Sequence, residues 1–161
     1  MIQNDRVIIR MAVPADVDQL ADLRWRLQTD DAEAWDIEAK SRFVTEFKDS
    51  VLTRFADESL AHWVAESDGH IIAVMSVVRV PKVPSPKSIE RYWGYLTNCY
   101  TLPEYRNTGI GTRLMAAIKE WSITQLFEFL AVWPSDRSYP FYERSGFQRY
   151  SDPLILKIDD D

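Results

Sequence analysis

The sequence is poor in the residues that bind metals or form disulfides, with one cysteine and two histidines among 161 residues. Because Cys99 is the only cysteine, a disulfide within the chain is excluded. Both histidines lie far from it in sequence, and no spacing typical of a metal site is present. We therefore predict that the protein holds no metal ion.

Long apolar runs are also missing, since no stretch approaches the roughly 18 apolar residues that cross a membrane. The first ten residues, MIQNDRVIIR, mix acidic and basic side chains and lack the apolar core of a signal peptide. These absences predict a cytoplasmic protein without a membrane partner.

An excess of positive charge is absent as well, because the formal net charge is −6 at pH 7. A nucleic-acid partner is therefore not expected, since phosphate backbones are bound by basic surfaces. What the sequence does have is 46% apolar residues and a large aromatic share that includes 6 tryptophans. This composition argues against disorder, and the length suits one domain over residues 1–161.

Apolar periodicity predicts the element order β-α-α-β-β-β-α-β-α-β. The predicted strands are 7–13, 62–67, 70–80, 91–102, 126–133 and 154–158, and the predicted helices begin after Pro14 and cover 36–56, 109–124 and 138–147. Asp68-Gly69 is typical of a tight hairpin turn. The order predicts a mixed α/β domain with more antiparallel pairing than a doubly wound fold, which requires strict alternation.

The segment EYRNTGIGTRLM (104–115) places two glycines in a loop that leads from a strand into a helix. The first turn of a helix has free backbone N–H groups and the positive end of the helix dipole, so the loop suits an anion. Gly109 and Gly111 leave room for a phosphate, and Arg106 adds a charge. A nucleotide-hydrolase loop would end in Gly-Lys-Ser/Thr, and a dinucleotide loop would need a third glycine. From spacing alone, an ordinary strand–helix turn stays open as the alternative.

Two segments resemble signatures of the GNAT superfamily of acetyl-CoA-dependent N-acetyltransferases. Residues 101–118, TLPEYRNTGIGTRLMAAI, resemble its motif A, V-x-P-x-(R/Q)-x-x-G-x-(G/A), with Thr101 in place of the usual valine. The residues in register are Pro103, Arg106, Gly109 and Gly111. Residues 140–147, PFYERSGF, resemble the second signature, apolar-Tyr-Glu-x-x-Gly-Phe. The resemblance implies a GNAT-like fold, in which a twisted sheet, mostly antiparallel and partly parallel, is flanked by about four helices.

The resemblance also implies that acetyl-CoA is the co-substrate. Backbone amides over 106–111 would cradle its pyrophosphate, helped by Thr112, and the strand near Cys99 would run beside the pantetheine arm and polarise the thioester carbonyl. Ser135 stands where family members often have an asparagine that contacts coenzyme A. The implied cofactor-binding residues are Cys99, Tyr100, Thr101, Arg106, Asn107, Thr108, Gly109, Ile110, Gly111, Thr112 and Ser135.

Tyr142 matches the tyrosine that acts as general acid in the family and protonates the leaving thiolate. With a phenol pKa of about 10 and a thiol pKa of about 8.5, this transfer is uphill by roughly 2 kcal/mol, unless the thiolate is poorly solvated. A core tyrosine with a satisfied hydroxyl is the alternative interpretation. Pro140 predicts that the helix carrying Tyr142 begins late, near Ser138.

The general base is not evident, because the strand segment WGYLTNCYT has no carboxylate. Asn98 or Tyr95 could orient the amine or a water molecule, and Glu66 on an adjacent strand could accept the proton through it. In the alternative interpretation, Asn98 satisfies strand-edge groups, Tyr95 packs and Glu66 faces solvent. Cys99 as an acyl-carrying nucleophile is disfavoured, because a lone strand cysteine is usually a buried small residue.

The connection between the first two helices usually lines the acceptor side in the family. Here it is acidic and aromatic, and the candidate substrate-binding residues are Trp25, Asp31 and Trp35, with Tyr95 on the central strand. Carboxylates near aromatic rings suit a cationic amine. A solvated acidic loop with core tryptophans is the alternative.

These observations predict an enzyme that transfers an acetyl group from acetyl-CoA directly to a primary amine of a small molecule or peptide. The alternative is a catalytically silent domain that binds acyl-CoA as a sensor or assembly module. The resemblance also raises a homodimer as an expectation. It leaves the acceptor and the length of the acyl group open.

Overall fold

Five strands and four α-helices are present in the residues that the structure, a computed structural model, describes: 7–30, 36–87, 91–150, 154–156 and 158. In chain order they are β1 (Ile8–Met11), α1 (Val17–Thr29), α2 (Ile37–Ala56), β2 (Leu60–Ser67), β3 (His70–Pro81), β4 (Tyr92–Thr101), α3 (Ile110–Thr124), β5 (Phe127–Val132) and α4 (Tyr139–Arg144). Short 3-10 helices precede α1, α3 and α4. No helix within these ranges is both long enough and apolar enough to cross a membrane.

The strands form a sheet in the order β1-β2-β3-β4-β5. Neighbours from β1 to β4 are antiparallel, and β5 is parallel to β4. A parallel neighbour requires a crossover, which α3 provides, whereas β2 and β3 need only a hairpin turn. Asp68 and Gly69 form that turn with φ values of 50° and 79°. The predicted mixed α/β fold, mostly antiparallel and partly parallel, is confirmed.

Apolar side chains pack on both faces of the sheet, because successive residues of a strand point to opposite faces. On one face, Leu114 of α3 packs in a cluster with Ile72 of β3. On the other face, Leu20 of α1 packs in a cluster with Ile71 of β3. This double coverage explains why β3 is almost continuously apolar in sequence.

The predicted last strand over 154–158 is wrong for residues 154–156, which have no regular secondary structure. The side chains of Leu154 and Leu156 are 96% and 82% exposed. An apolar pattern becomes a strand only where another strand pairs its backbone, and among the described residues β5 pairs with β4 alone. The sequence pattern contained no information about that missing partner.

Gly94 of β4 lies where a side chain would overfill the core. A Cβ at this position would lie 2.5 Å from Leu130 and 2.9 Å from both Phe127 and Val77. We expect Gly94→Ala to lower the free energy of unfolding by about 1–3 kcal/mol, measured by urea denaturation. Without a clash, alanine would stabilise the protein by about 0.4–1 kcal/mol through the unfolded state, so a gain in stability would contradict this packing.

Candidate active site

The parallel strands β4 and β5 separate partway along β4, and a cavity opens between them. Their pairing ends at Leu96 and Val132, and the described residues give β4 no partner on that edge from Thr97 onward. The cavity has a volume of about 240 Å³ and is called the strand-gap cavity below. Its lining residues are Leu27, Tyr95, Leu96, Thr97, Asn98, Cys99, Val132, Trp133, Pro134, Ser135, Arg137, Ser138 and Tyr142.

A bulge in β4 lies beside the strand-gap cavity. Thr97 pairs with Ser76 and Tyr100 pairs with Val74, so β4 has one more residue than β3 over this interval. Asn98 lies in the bulge with a φ of 51°, a left-handed conformation that asparagine adopts more readily than most residues. Because a bulge changes the direction of its side chains, this position governs what the cavity presents to a ligand.

The loop over 106–112 presents free backbone amides at the start of α3. Among the described residues, the amides of residues 109–112 have no hydrogen-bond acceptor, whereas Arg113 N donates to Gly109 O at 3.1 Å. Gly109 has a φ of 83°, and no atom lies within 4 Å of the position that its Cβ would take. Free amides, open space and the positive end of a helix dipole together suit an anion such as a phosphate group.

Gly111 has a packing role that the sequence did not reveal. Its Cβ position lies 3.2 Å from the ring of Phe141, the residue before Tyr142. The expectation that both glycines make room for phosphate therefore fits Gly109, whereas the absent side chain of Gly111 lets α4 pack closely against α3.

Arg106 connects the loop to β4 and to the end of α1. Its Nε donates to Thr101 O at 2.9 Å, and its guanidinium lies 3.4 Å from the carboxylate of Asp30. The hydroxyl of Tyr100 donates to the same carboxylate. The contacts of Arg106 are exposed, so its guanidinium can exchange Asp30 for a phosphate at a cost of about 0–1 kcal/mol.

The other predicted loop residues differ in exposure. Ile110 is a core residue with 2% exposure, so only its backbone amide can face a ligand. Asn107 and Thr112 are exposed, and the hydroxyl of Thr108 donates to a carbonyl within the loop at 2.6 Å. Ser135 lines the strand-gap cavity at the start of the turn that leads into α4.

Tyr142 is held by the C-terminal cap of α4, which begins one residue before Pro140, as predicted. Phe147 N donates to Tyr142 O, and Gly146 N donates to Glu143 O, both at 3.0 Å. With a φ of 97° at Gly146, these bonds form a Schellman cap. The cap places the ring of Phe147 5.5 Å from that of Tyr142. The signature apolar-Tyr-Glu-x-x-Gly-Phe therefore encodes the turn that positions its own tyrosine.

The hydroxyl of Tyr142 keeps its proton at neutral pH. The residue is 6% exposed and lines the strand-gap cavity. Burial raises the pKa of this phenol well above its ordinary value, and the neighbouring Cys99 thiol raises it further. The group can therefore donate a hydrogen bond or a proton, and it cannot act as a base.

Cys99 is a neutral thiol in the same surroundings. Burial raises its pKa to about 11, and the neighbouring Tyr142 side chain opposes this rise to a smaller extent. Because the thiolate is the reactive form, a protonated Cys99 is a poor nucleophile. The raised pKa of Cys99 also indicates that a negatively charged sulfur is unfavourable in this part of the cavity.

Two of the three candidates for handling the amine proton line the strand-gap cavity. The ring of Tyr95 packs edge-on against Trp133, with ring centroids 5.1 Å apart. The side-chain amide of Asn98 donates to Ser76 Oγ at 2.9 Å. Both residues are therefore positioned by neighbours and adjoin the space that contains Tyr142.

The third candidate, Glu66, is not brought to this cavity. Its carboxylate accepts a hydrogen bond from Arg10 Nε at 2.7 Å, and Arg10 also pairs with Asp16 at 2.7 Å. Glu66 thus belongs to an ion cluster that joins β1, β2 and the start of α1. Within the described part of the chain, no group of three or more His, Cys, Asp or Glu side chains is placed to hold a metal ion.

The structure describes only some of the residues predicted to bind the acceptor substrate. Trp25 packs on Phe43, with ring centroids 5.5 Å apart, and so contributes to the contact between α1 and α2. Asp31 and Trp35 lie outside the described residues. Of the two described members of this predicted set, Tyr95 lines the strand-gap cavity and Trp25 does not.

The sequence analysis did not single out Ser76 on β3 and His62 on β2, which form a chain of buried polar contacts with Asn98 on β4. Their side chains are 1% and 2% exposed, and His62 Nδ1 lies 2.6 Å from Ser76 Oγ. His62 and Ser76 are partners across the β2–β3 hairpin, whose register shifts at Ala65 and Glu66, and Asn98 reaches Ser76 from the bulge of β4. The contacts therefore depend on strand register, which no local motif indicates.

Burial of His62 predicts a loss of stability in acid. Burial lowers the pKa of this imidazole from 6.5 to about 4, with a smaller effect of Arg54. Between these values the unfolded chain binds the proton and the folded chain does not, so stability falls as the pH drops. By pH 4 we expect a loss on the order of 3 kcal/mol in urea denaturation, a loss that His62→Gln lacks. Equal pH dependence of both proteins would contradict the assignment.

Comparisons with solved structures show the fold. A protein described as a predicted acetyltransferase with acetyl-CoA, from Clostridium acetobutylicum, is 24% identical with a TM-score of 0.76, over 94% of this chain and 96% of that chain. A GCN5-related N-acetyltransferase from Ralstonia eutropha JMP134 is 22% identical with a TM-score of 0.73, over 95% and 99%. Glucosamine-6-phosphate N-acetyltransferase from Arabidopsis thaliana is 17% identical with a TM-score of 0.68, over 95% and 99%.

The sequence comparison identifies the family. Among curated proteins no match was found. The model of the acetyltransferase (GNAT) family matches residues 18–147, which include the loop over 106–112, the residues that line the strand-gap cavity and Tyr142. Because this match spans most of the chain, the protein belongs to the acetyltransferase (GNAT) family and is an acyltransferase that transfers acetyl groups.

Proposed function

We propose that this protein is an N-acetyltransferase that moves an acetyl group from acetyl-CoA directly to a primary amine of a small molecule or peptide, with Tyr142 as general acid. The observation that carries the proposal is the buried, protonated hydroxyl of Tyr142 in the strand-gap cavity. Family membership supports acetyl-CoA as the donor.

The donor would be held by the loop and by the free edge of β4. The amides of residues 109–112 suit its pyrophosphate, and Arg106 adds a positive charge. From Thr97 onward the unpaired edge of β4 can bond the amides of an extended pantetheine chain, as an added strand would. When bound there, acetyl-CoA supplies an acyl group activated as a thioester.

Tyr142 would hold, at its hydroxyl oxygen, the proton that the leaving sulfur takes up. Its raised pKa keeps that proton in place before reaction but makes the phenol a weaker acid. The same burial compensates, because a poorly solvated thiolate binds a proton more readily than a thiolate in water. The raised pKa of the Cys99 thiol supports this effect at the place where the sulfur would leave.

The acceptor amine is proposed to enter uncharged. Among the described residues that line the strand-gap cavity, none is a carboxylate. The amine would therefore lose its ammonium proton to water before it attacks, while Asn98 and Tyr95 orient the neutral nitrogen. The proton that the nitrogen sheds after attack would return, through water, to the Tyr142 oxygen that has protonated the sulfur. The silent acyl-CoA sensor remains the competing interpretation, and turnover separates the two.

Release of free thiol from acetyl-CoA tests the proposal across a panel of amines. The panel contains an aliphatic diamine, an aminoglycoside, glucosamine 6-phosphate and a peptide with a free amino terminus. We expect at least one amine to accelerate thiol release in a saturable manner above the rate in buffer. If acetyl-CoA binds and no amine accelerates its consumption, the proposal fails and the sensor interpretation is favoured.

A further inference from the structure

The strand-gap cavity has one formally charged side chain among its described lining residues, the guanidinium of Arg137. Arg137 is exposed and belongs to the short 3-10 helix Asp136–Ser138, which connects β5 to α4. Within the described part of the chain, its side chain forms no hydrogen bond and no ion pair. The neighbouring carboxylate of Asp136 does not line the cavity. An unpaired cation in a cavity wall without a carboxylate attracts anions to that cavity.

A second arginine without an acidic partner lies on α1. Arg24 is half-buried, and no described residue forms a hydrogen bond or an ion pair with its side chain. Burial lowers the pKa of its guanidinium, and the interaction with Tyr95 opposes this effect to a smaller extent. By contrast, Arg26 on the same helix pairs with Asp22 at 2.8 Å. A half-buried cation without a counter-ion costs free energy, which an anionic ligand would recover.

The charge of Arg24 acts on a wall of the strand-gap cavity. Leu27, one helical turn after Arg24, lines this cavity, and so does Tyr95. Tyr95 pairs with Val78, which packs with Val17 of α1, and paired residues lie on the same face of a sheet. Arg24 therefore lies on the face that α1 covers, whereas the phosphate of the donor is proposed to bind at the start of α3, which covers the other face.

Two positive charges at this place have two consequences for an acceptor. They attract an anionic group, and they disfavour the ammonium form of an amine, because a nearby like charge lowers the pKa of an ammonium group. The second effect suits the proposed reaction, since the amine must lose its proton before it attacks. A carboxylate or phosphate of the acceptor that pairs with a guanidinium is neutralised there, so it does not hold the proton on the amine.

We propose that the acceptor is an amine that also carries a carboxylate or a phosphate, with Arg137 binding that group and Arg24 adding positive potential from α1. The inference rests on the proposed function and narrows its acceptors from primary amines in general to anionic ones. Arginine suits this role, because its planar guanidinium can bond two oxygens of a carboxylate or phosphate at once.

Two matched pairs of amines test the inference in the intact protein. Glycine and glycinamide differ by a carboxylate, and glucosamine 6-phosphate and glucosamine differ by a phosphate. With KM expressed as the concentration of uncharged amine, we expect kcat/KM for the anionic member of at least one pair to be about tenfold higher or more, the equivalent of one charge-assisted hydrogen bond. The pair that shows this preference identifies the group. Equal or higher kcat/KM for the neutral member of both pairs would overturn the inference.

Arg137→Gln removes the charge and keeps hydrogen-bond donors. We expect kcat/KM for the preferred anionic amine to fall about tenfold, mainly through KM, and kcat/KM for its neutral partner to fall less. Arg137→Lys keeps the charge and should retain more of the preference. The Kd for acetyl-CoA should stay within about twofold of wild type. Arg144→Gln is the matched control, because Arg144 is an exposed cation of α4 that does not line the cavity, and its preference should equal that of wild type.

Arg24→Met separates the charge of this residue from its packing, because methionine replaces the apolar part of the side chain. We expect a weaker preference for the anionic amine. The urea midpoint should stay unchanged or rise, since the substitution removes a half-buried charge without a counter-ion. A lower midpoint with an unchanged preference would indicate a structural role and overturn the part of the inference that concerns Arg24.

The outcomes also distinguish this inference from the proposed function. If the wild-type protein acetylates the diamine or the aminoglycoside and neither anionic amine, the inference alone is overturned. If Arg137→Gln weakens acetyl-CoA binding and leaves the preference unchanged, Arg137 serves a phosphate of coenzyme A, which also overturns the inference. If the wild-type protein acetylates no amine, the proposed function fails and the inference falls with it.

Discussion

Replacing Tyr142 with phenylalanine is expected to lower kcat for amine acetylation by about 100- to 1,000-fold, the usual contribution of a positioned general acid. The change removes one oxygen from a buried ring whose position is fixed by the Schellman cap and by Phe147. The binding of acetyl-CoA involves the loop and β4, so its Kd should stay within about twofold of wild type. Initial rates of thiol release and an equilibrium titration measure the two quantities.

Tyr139→Phe is the matched control for this substitution. Tyr139 lies on the same helix, its ring contacts Arg149 at 4.4 Å, and it does not line the strand-gap cavity. We expect its kcat to match wild type. A Tyr142→Phe protein that retains more than about a tenth of wild-type kcat would exclude proton donation by Tyr142 as a main source of catalysis.

The second large effect is expected from Gly109→Val, which should raise the Kd for acetyl-CoA by about 10- to 100-fold. A side chain at Gly109 enters open space at the N-cap of α3, next to the amides of residues 110–112. The substitution also forces a β-branched residue to a φ of 83°, which strains the turn that presents those amides. Isothermal titration with acetyl-CoA measures the change.

Gly69→Val controls for the backbone strain in this experiment. Gly69 has a φ of 79°, also has no atom within 4 Å of its Cβ position, and lies in the β2–β3 hairpin. Both variants should lose comparable stability, and only Gly109→Val should lose affinity. An unchanged affinity in Gly109→Val would show that the amides are not the phosphate site.

The parts of the site that could be predicted from the sequence are those held by hydrogen bonds between residues close together in the chain. The signature around Tyr142 specifies a helix end, a left-handed glycine and a phenylalanine that packs back on the tyrosine, all within nine residues of chain. The loop at Gly109 is similar, because a positive φ and a helix start are properties of neighbouring residues. Such features depend little on the rest of the fold.

Features that depend on strand register were not predictable in this way. The bulge at Asn98 exists only relative to β3, and the contacts of Ser76 with Asn98 and with His62 depend on three strands being aligned. Glu66 was predicted near the amine, but its register opposite β1 pairs it with Arg10. The apolar run at 154–156 likewise had a strand-like pattern, and no strand among the described residues pairs with it.

The central claim is direct transfer of an acetyl group to an amine, and mass spectrometry of a completed reaction tests it most directly. After incubation with acetyl-CoA and the best amine of the panel, the amine is expected to gain one acetyl group for each thiol released, and the intact protein should keep its mass. Acetyl-CoA bound to the protein with no acetylated amine, or an acetyl group retained on the protein at Cys99, would contradict the account.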